Sequence, residues 1–428
     1  MRTIRVGLIG LGTVGSGVVE ILDLHRADFL RRTGVDVELA RFADRSPERA
    51  AALGIPAERF TTDAADVIAD PDVDIVIELI GGTGAAHDIV VDALKAGKSV
   101  VTANKALMAS AGQEVMDAAA AAGVDIAFEA SVGGGIPIIG PLKHSLVSNE
   151  IDSVMGIVNG TTNYILTRMA EDGLDYATAL AEAQQLGYAE ADPTADVDGL
   201  DAAAKIAILA SIAFNSRVTF DEVPTEGIRE ITHEDVAYAE EMGYAIKLLA
   251  IATRVDGSID VRVHPTMIPA DHQLAKVSGV FNAIYVVGDS VGETMFFGQG
   301  AGSLPAASAV VGDVIETARH LQAGCLNLVG CTCNESLKVR DISQLMTRYY
   351  IRMLVADKPG VLAKVAGVLG DHGVSIASVI QKRAWDEGAE IVYVTHDAAE
   401  RDVRAALDRI ESLDVVQRTA SVIRVEAL

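Results

Sequence analysis

The chain has 428 residues, enough for about three domains at roughly 100 to 200 residues each, and it is 50% apolar and only 22% charged, which excludes disorder and low complexity. Sixty acidic residues against 35 basic ones give a net charge of −25, a field that repels phosphate backbones, so no nucleic-acid partner is expected. No apolar run reaches the roughly 18 to 20 residues of a membrane span, so no membrane partner is expected either. The N-terminal MRTIRVGLIGLG runs directly into a strand and a glycine loop, and the three cysteines, Cys325, Cys331 and Cys333, are an odd number in one short stretch. Both features point to a cytoplasmic protein with reduced thiols.

From residue 2 to about residue 127, short β-branched runs (IRVGLIG, VELARFA, DIVIELI, SVVTA, VDIAFEA) alternate with Ala-rich stretches predicted as helices at 14–32, 47–53, 85–96 and 106–122. Gly54, Gly97 and Gly123 stand where helix C-caps belong. The alternation predicts a Rossmann-type doubly wound α/β domain over 1–135. After Pro141 the segments lengthen. One helix ends near Gly187 and another runs from 199 to 214, with the acidic loop AEADPTADVD between them, and strand character returns over 262–297, so 136–297 reads as an α+β domain. The segment PAASAVVGDVIETARHLQ is predicted to be a helix packing back on the first domain, which makes 298–320 its completion. Residues 321–347 read as a linker. Residues 348–428 spell βαββαβ, a small ferredoxin-like domain.

The glycine loop Gly10-Leu11-Gly12-Thr13-Val14-Gly15 follows the first strand and opens a helix, the context in which such a fingerprint signifies a dinucleotide site. Gly10 permits the tight turn, Gly12 the approach of a pyrophosphate to Thr13 and Val14 backbone, and Gly15 close helix–strand packing. Asp44, after the second strand, is the acid that meets the ribose of NAD, whereas Arg45 or Arg41 could hold the 2′-phosphate of NADP, so both cofactors stay open. Lys105 ends another strand at the ligand-binding edge.

Asp201 and Lys205 are four residues apart on an apolar helical stretch, so they share one face. An arbitrary pair of this kind is a solvated ion pair, but a buried lysine has a lowered pKa and can exchange a proton near neutrality, which suits alcohol–carbonyl redox chemistry. A calcium loop fails as the explanation of the acids, because Lys205 falls where a bidentate Glu is required. The glycine run Gly133-Gly134-Gly135 after Glu129 reads as a hinge between domains, or as a curl whose carbonyls converge on a cation.

GLGTVG, ELIGG at 78–82, TANK at 102–105, EASVGGGIPII at 129–139, GIVNGTTNYIL at 156–166, GYAEADPTADVDGLDAAAK at 187–205 and GQGAG at 298–302 together resemble homoserine dehydrogenase, in its long form with a C-terminal ACT domain. The resemblance covers nearly the whole chain. It implies oxidoreduction between L-homoserine and L-aspartate 4-semialdehyde with NADP or NAD, on the route to threonine and methionine. Lys205 matches the general acid/base, Lys105 a second active-site lysine, Glu190 and Asp201 the substrate-contacting acids, and Gly187 and Gly302 backbone contacts to cofactor. A structural monovalent cation, usually sodium, matches Glu129 and the carbonyls of Val132, Gly134 and Ile136, which turns the glycine run from hinge to cation loop. The middle domain is implied to bind substrate and to form a homodimer or homotetramer. In the ACT segment Asp357, Gly360 and Val361 match a turn that takes threonine as effector, with a pure dimerisation module as the alternative. Two other readings stand beside this one: another Rossmann dehydrogenase with an ACT tail, or a catalytically dead amino-acid sensor. No cysteine precedes residue 325, so a thioester-forming semialdehyde dehydrogenase is excluded.

Overall fold

The computed structural model describes residues 2–385 and 388–426. They form two compact units, one of Met1–Val154, Ala204–Glu222 and Phe281–Leu337, the other of Met155–Ala203, Val223–Val280 and Lys338–Leu428. In the first, strands β1 (Thr3–Ile9), β2 (Asp36–Ala43), β3 (Phe60–Thr61), β4 (Ile75–Glu78), β5 (Ser99–Thr102) and β6 (Ile126–Ala127) form a parallel sheet in the order β3-β2-β1-β4-β5-β6. The chain reverses direction along the sheet between β1 and β4, the place where doubly wound folds receive ligands. Helices α1 (Thr13–Thr33), α2 (Ala85–Lys95) and α3 (Lys105–Ala122) cover the sheet, and every residue of β4 and β5 is buried.

The helix Ser303–Ala323 packs on α1, with Val310, Val311, Val314 and Ala318 in one core with Val18, Val19, Leu22 and the β1 residues Ile4, Val6 and Leu8. The two helices meet closely at Gly17, where a Cβ would lie 2.9 Å from the Ala307 methyl. The run VDIAFEA yields only a two-residue strand, β6. Beyond it the Glu129 N–H is taken by the buried Asp313 carboxylate at 2.8 Å, so the backbone leaves the sheet and turns over Glu129–Ser131.

In the second unit, the strands Tyr244–Val255 and Ser258–Pro269 form a hairpin whose two-residue turn, Asp256 and Gly257, has both φ angles positive (50° and 72°). The C-terminal segment has strands Met346–Val355, Ile376–Trp385, Gly388–Thr395 and Val416–Val425 with helices Val361–Asp371 and Glu400–Glu411, a βαββαβ fold. Its last strand pairs in parallel with the hairpin, Arg424 beside Thr266 and Val425 beside Met267. Arg352 then reaches into the rest of the unit, donating to Asp235 at 2.7 Å, and donates to Glu390 of its own segment at 2.8 Å, all three side chains buried. Among the described residues no helix is long and apolar enough to cross a membrane.

Candidate active site

At the end of β1, Gly10 adopts φ 102° because its Cα lies against the backbone of Leu79, where a Cβ would come within 2.7 Å of the carbonyl oxygen. Gly12 caps α1 without a side-chain partner, and a Cβ there would have no atom within 4 Å, so the amides of the first turn stay approachable. Gly15 packs so tightly that a Cβ would lie 2.0 Å from the Gly10 oxygen. Thr13 is exposed, Val14 is half-buried, and the Thr13 carbonyl accepts the Ser303 hydroxyl at 2.6 Å, which seats Gly302, at φ 125°, beside the glycine loop.

Asp44 lies at the end of β2 and closes the loop from the other side. Its Oδ2 accepts the Leu11 N–H at 2.7 Å and its Oδ1 the Ser46 N–H at 2.8 Å. Burial opposes its charge, but these amides and Arg49 prevail and hold its carboxyl below the usual range. Arg45 is exposed, whereas Arg41 is committed to the Glu58 carbonyl at 2.6 Å.

Glu78, fully buried at the end of β4, organises the neighbouring loop. Its Oε1 accepts the N–H groups of Ile80 and Gly81 at 2.8 and 3.0 Å, and its Oε2 accepts the Thr102 hydroxyl at 2.7 Å. Asn104 donates to the Gly82 carbonyl at 2.7 Å and caps α3 through Leu107 N–H, and the half-buried Lys105 is the first residue of that helix. The first unit thus gathers Gly10, Gly12, Thr13, Val14, Gly15, Asp44 and Gly302 into one cradle, with Lys105 on the loop system that Glu78 holds.

The 129–140 loop is built around the Glu129 carboxylate, which accepts the N–H groups of Ile138, Ile139 and Gly140 at 2.5, 2.7 and 2.7 Å. Gly133 and Gly134 have φ 74° and 59°, and Gly134 lies against Gly300, where a Cβ would come within 2.3 Å of its oxygen. Burial pushes the Asp313 carboxyl well above the usual range. Among the described residues no cluster of three or more His, Cys, Asp or Glu side chains could hold a metal. An all-oxygen set such as Glu129 with the carbonyls of Val132, Gly134 and Ile136 is the kind that suits a hard cation.

In the second unit Asn159 is the centre of the acidic loop. Its Nδ2 donates to Asp196 at 2.7 Å and to Asp201 at 3.0 Å, while its Oδ1 caps the helix Gly160–Glu171 through the Thr162 N–H at 2.9 Å. Gly187, at φ 75°, follows the end of the helix Tyr176–Gln185 and is exposed, as is Glu190, whose carbonyl accepts the Gln184 side-chain amide at 3.0 Å. Asp201 (7% exposed) starts the helix Leu200–Ala213, whose residues from Ala204 on belong to the first unit, and Lys205 (8% exposed) follows one turn later, surrounded in sequence by Ala202, Ala203, Ala204, Ile206 and Ala207, all buried. The turn Asp357 to Val361 joins strand to helix with Asp357 exposed, Gly360 at φ 89° as N-cap and Val361 in the core. All three cysteines are free, and burial pushes the Cys333 thiol up to about 12.

Residues 10–129 match the NAD-binding domain of homoserine dehydrogenase, 137–315 the homoserine dehydrogenase domain, and 349–415 the ACT domain. The homoserine dehydrogenase of Synechocystis sp. is 49% identical over 99% of each chain. The chain belongs to the homoserine dehydrogenase family. The crystal structure of a homoserine dehydrogenase from Thiobacillus denitrificans aligns with a TM-score of 0.95 at 44% identity, covering 100% of this chain and 99% of that one. A hyperthermophilic archaeal homoserine dehydrogenase in complex with NADPH is 28% identical, with a TM-score of 0.63 over 74% of this chain and 98% of that one. The family's three parts are thus present: a doubly wound nucleotide-binding domain, a catalytic domain with a mixed sheet, and an ACT domain. Sequence reasoning had placed Glu78 and Asn159 in motifs without giving either a role. Their signal was polarity inside otherwise apolar or glycine-rich runs, IVIELIGG and GIVNGTT.

Proposed function

We propose that the chain interconverts L-homoserine and L-aspartate 4-semialdehyde with NAD or NADP, and that Lys205 is its general acid/base. The burial of Lys205 on an apolar helix, one turn from buried Asp201, carries this reading, because a desolvated ammonium gives up its proton more readily than an exposed one. In the oxidative direction neutral Lys205 accepts the hydroxyl proton of homoserine as its carbon loses hydride; in reverse it returns that proton to the aldehyde oxygen. The nicotinamide, when bound, supplies or accepts the hydride. Asp201, steered by Asn159, and Glu190 supply negative charge for the substrate's ammonium, and Lys105 is a second active-site cation. The cradle at Gly10, Gly12, Thr13, Val14 and Gly15 binds the dinucleotide, with Gly187 and Gly302 adding backbone contacts and Asp44 and Arg45 meeting the adenosine ribose. The NADPH held by the archaeal relative supports a nicotinamide cofactor.

On this reading a sodium ion is held by Glu129 and the backbone carbonyls of Val132, Gly134 and Ile136 and stabilises the loop. Threonine acts through Asp357, Gly360 and Val361 of the ACT domain. The enzyme works in the cytoplasm as a homodimer or homotetramer, on the way to threonine and methionine. The test is homoserine-dependent reduction of NAD+ and NADP+, measured separately. Lys205→Ala lowers kcat at least about 100-fold with cofactor affinity nearly intact; turnover near the wild-type level in that variant overturns the assignment.

A further inference from the structure

The substrate acids are linked to the ACT domain through a segment that no part of the mechanism uses. Residues 223–229 run beside the strand Ser258–Pro269, with Glu226 N–H donating to the Val263 carbonyl at 2.8 Å and Val263 N–H to the Pro224 carbonyl at 2.9 Å. The Glu226 side chain reaches two arginines of the ACT segment. Arg424 donates to both its oxygens, at 2.8 and 2.9 Å, and Arg404 donates to Oε1 at 2.7 Å. The same arginines clasp Glu400, which also accepts the Tyr349 hydroxyl at 2.7 Å. The cluster has two positive and two negative groups: the Arg424 and Glu400 side chains are 3% and 6% exposed, whereas those of Arg404 and Glu226, at 55% and 40%, lie at its wet edge. Glu226 is its one member from outside the ACT segment.

The other side of residues 223–229 touches the acidic loop. Ile228 N–H donates to the Val197 carbonyl at 2.8 Å, and a Cβ on Gly227 would lie 2.2 Å from that carbonyl oxygen and 2.5 Å from the Asp198 Cα. Arg229 pairs with the Asp198 carboxylate and donates to the Thr194 hydroxyl at 3.3 Å. Gly199 lies against Thr225, where a Cβ would come within 2.9 Å of its methyl. With backbone against backbone on one side and a forked arginine on the other, residues 223–229 have little room to move without moving 194–201.

We propose that Glu226 is a positioning residue that ties the acidic loop to the ACT domain, so that a change in Arg424 or Arg404 alters how firmly Asp196 and Asp201 are held. The link to catalysis rests on the reading that Asp201 meets the substrate. Loss of the Glu226 side chain leaves Arg424 paired with Glu400 and the backbone bonds to Val263 in place, so the fold survives while the side-chain tether is cut.

The test compares full-length wild type, Glu226→Gln and Glu226→Ala by amide hydrogen exchange and steady-state kinetics. In Glu226→Ala the amides of residues 194–201 exchange at least about tenfold faster, a tenfold factor being about 1.4 kcal/mol. The KM for homoserine rises about tenfold, with kcat and the cofactor KM within about twofold. Glu226→Gln, which keeps the shape and an acceptor, falls between the two. Unchanged exchange at 194–201 with wild-type KM overturns the proposal even if Tm drops, because a merely structural role moves Tm alone. Faster exchange with an unchanged homoserine KM supports the tether and instead refutes the assignment of Asp201 to substrate.

Discussion

Gly12 and Gly15 stand three residues apart in one loop, and the structure assigns them opposite sensitivities. Alanine at position 15 puts a methyl 2.0 Å from the Gly10 oxygen, against about 3.4 Å for ordinary contact, so roughly 1.4 Å of movement is demanded of backbone. Overpacking costs about 1 to 3 kcal/mol, and with no side chain able to rotate away the upper end applies. At about 2 to 4 °C per kcal/mol for a unit of this size, Tm falls by roughly 6 to 12 °C. Alanine at position 12 meets no atom within 4 Å, and φ −75° with ψ −158° is open to any residue, so Tm changes by less than about 4 °C. Its methyl instead occupies the approach to the α1 amides. Loss of a charge-assisted hydrogen bond there costs about 1.5 to 3 kcal/mol, which raises the cofactor KM by roughly 10- to 150-fold. Thermal melts and cofactor titrations of both variants decide the matter. A Gly12→Ala enzyme with wild-type cofactor KM, or one that melts as early as Gly15→Ala, refutes the placement of the pyrophosphate at this helix.

Arg45→Ala raises the KM for NADP at least about fivefold more than that for NAD, because Arg41 is already committed to the Glu58 carbonyl and cannot substitute for it; parallel titrations of the two cofactors check this. Burial works against the charges of Glu390 and Glu400, but arginines and tyrosine hydroxyls prevail and hold both below their ordinary value of 4.5. Their contribution is therefore complete above about pH 4.5 and is lost as pH falls through the depressed folded values, so Tm declines below about pH 4.5 and the deficit of Glu390→Gln relative to wild type, largest at pH 7, shrinks there. Removal of residues 348–428 strips the partner strand from Ser258–Pro269 and the arginine from Asp235, which lowers Tm by at least about 6 °C. Asp357→Ala in the intact chain is thus the cleaner probe of regulation: it weakens threonine inhibition at least about tenfold and leaves Tm unchanged.

The parallel sheet was legible because buried strands write themselves as short runs such as IVIE and SVVT, and the glycine loop because its three glycines each answer a distinct steric demand. The two-residue strand β3 left no such trace, since so few residues form no periodic pattern, and the run VDIAFEA was legible as a strand although only Ile126 and Ala127 of it pair as β6. Asp201 and Lys205 were legible as one helical face, but the partner that steers Asp201 was not. Asn159 precedes Asp201 by 42 residues and meets it through the fold alone. The three amides that turn back onto the Glu129 carboxylate were not legible either, because nothing in EASVGGGIPII shows that its own loop will fold over it. The arginine–carboxylate clusters of the ACT segment were equally hidden, their members being scattered from Glu226 to Arg424.

The hydrogen bond from Ser303 to Thr13 spans 290 residues, and the helix it begins supplies one wall of the core behind the glycine loop. A ribosome adding about 5 to 20 residues per second needs roughly 15 to 60 s to make that interval. Throughout it the α1 residues Val18, Val19 and Leu22 lack the cover of Val310, Val311 and Val314. Synthesis order therefore leaves an apolar face uncovered for most of translation, and fragments ending before residue 303 are expected to aggregate.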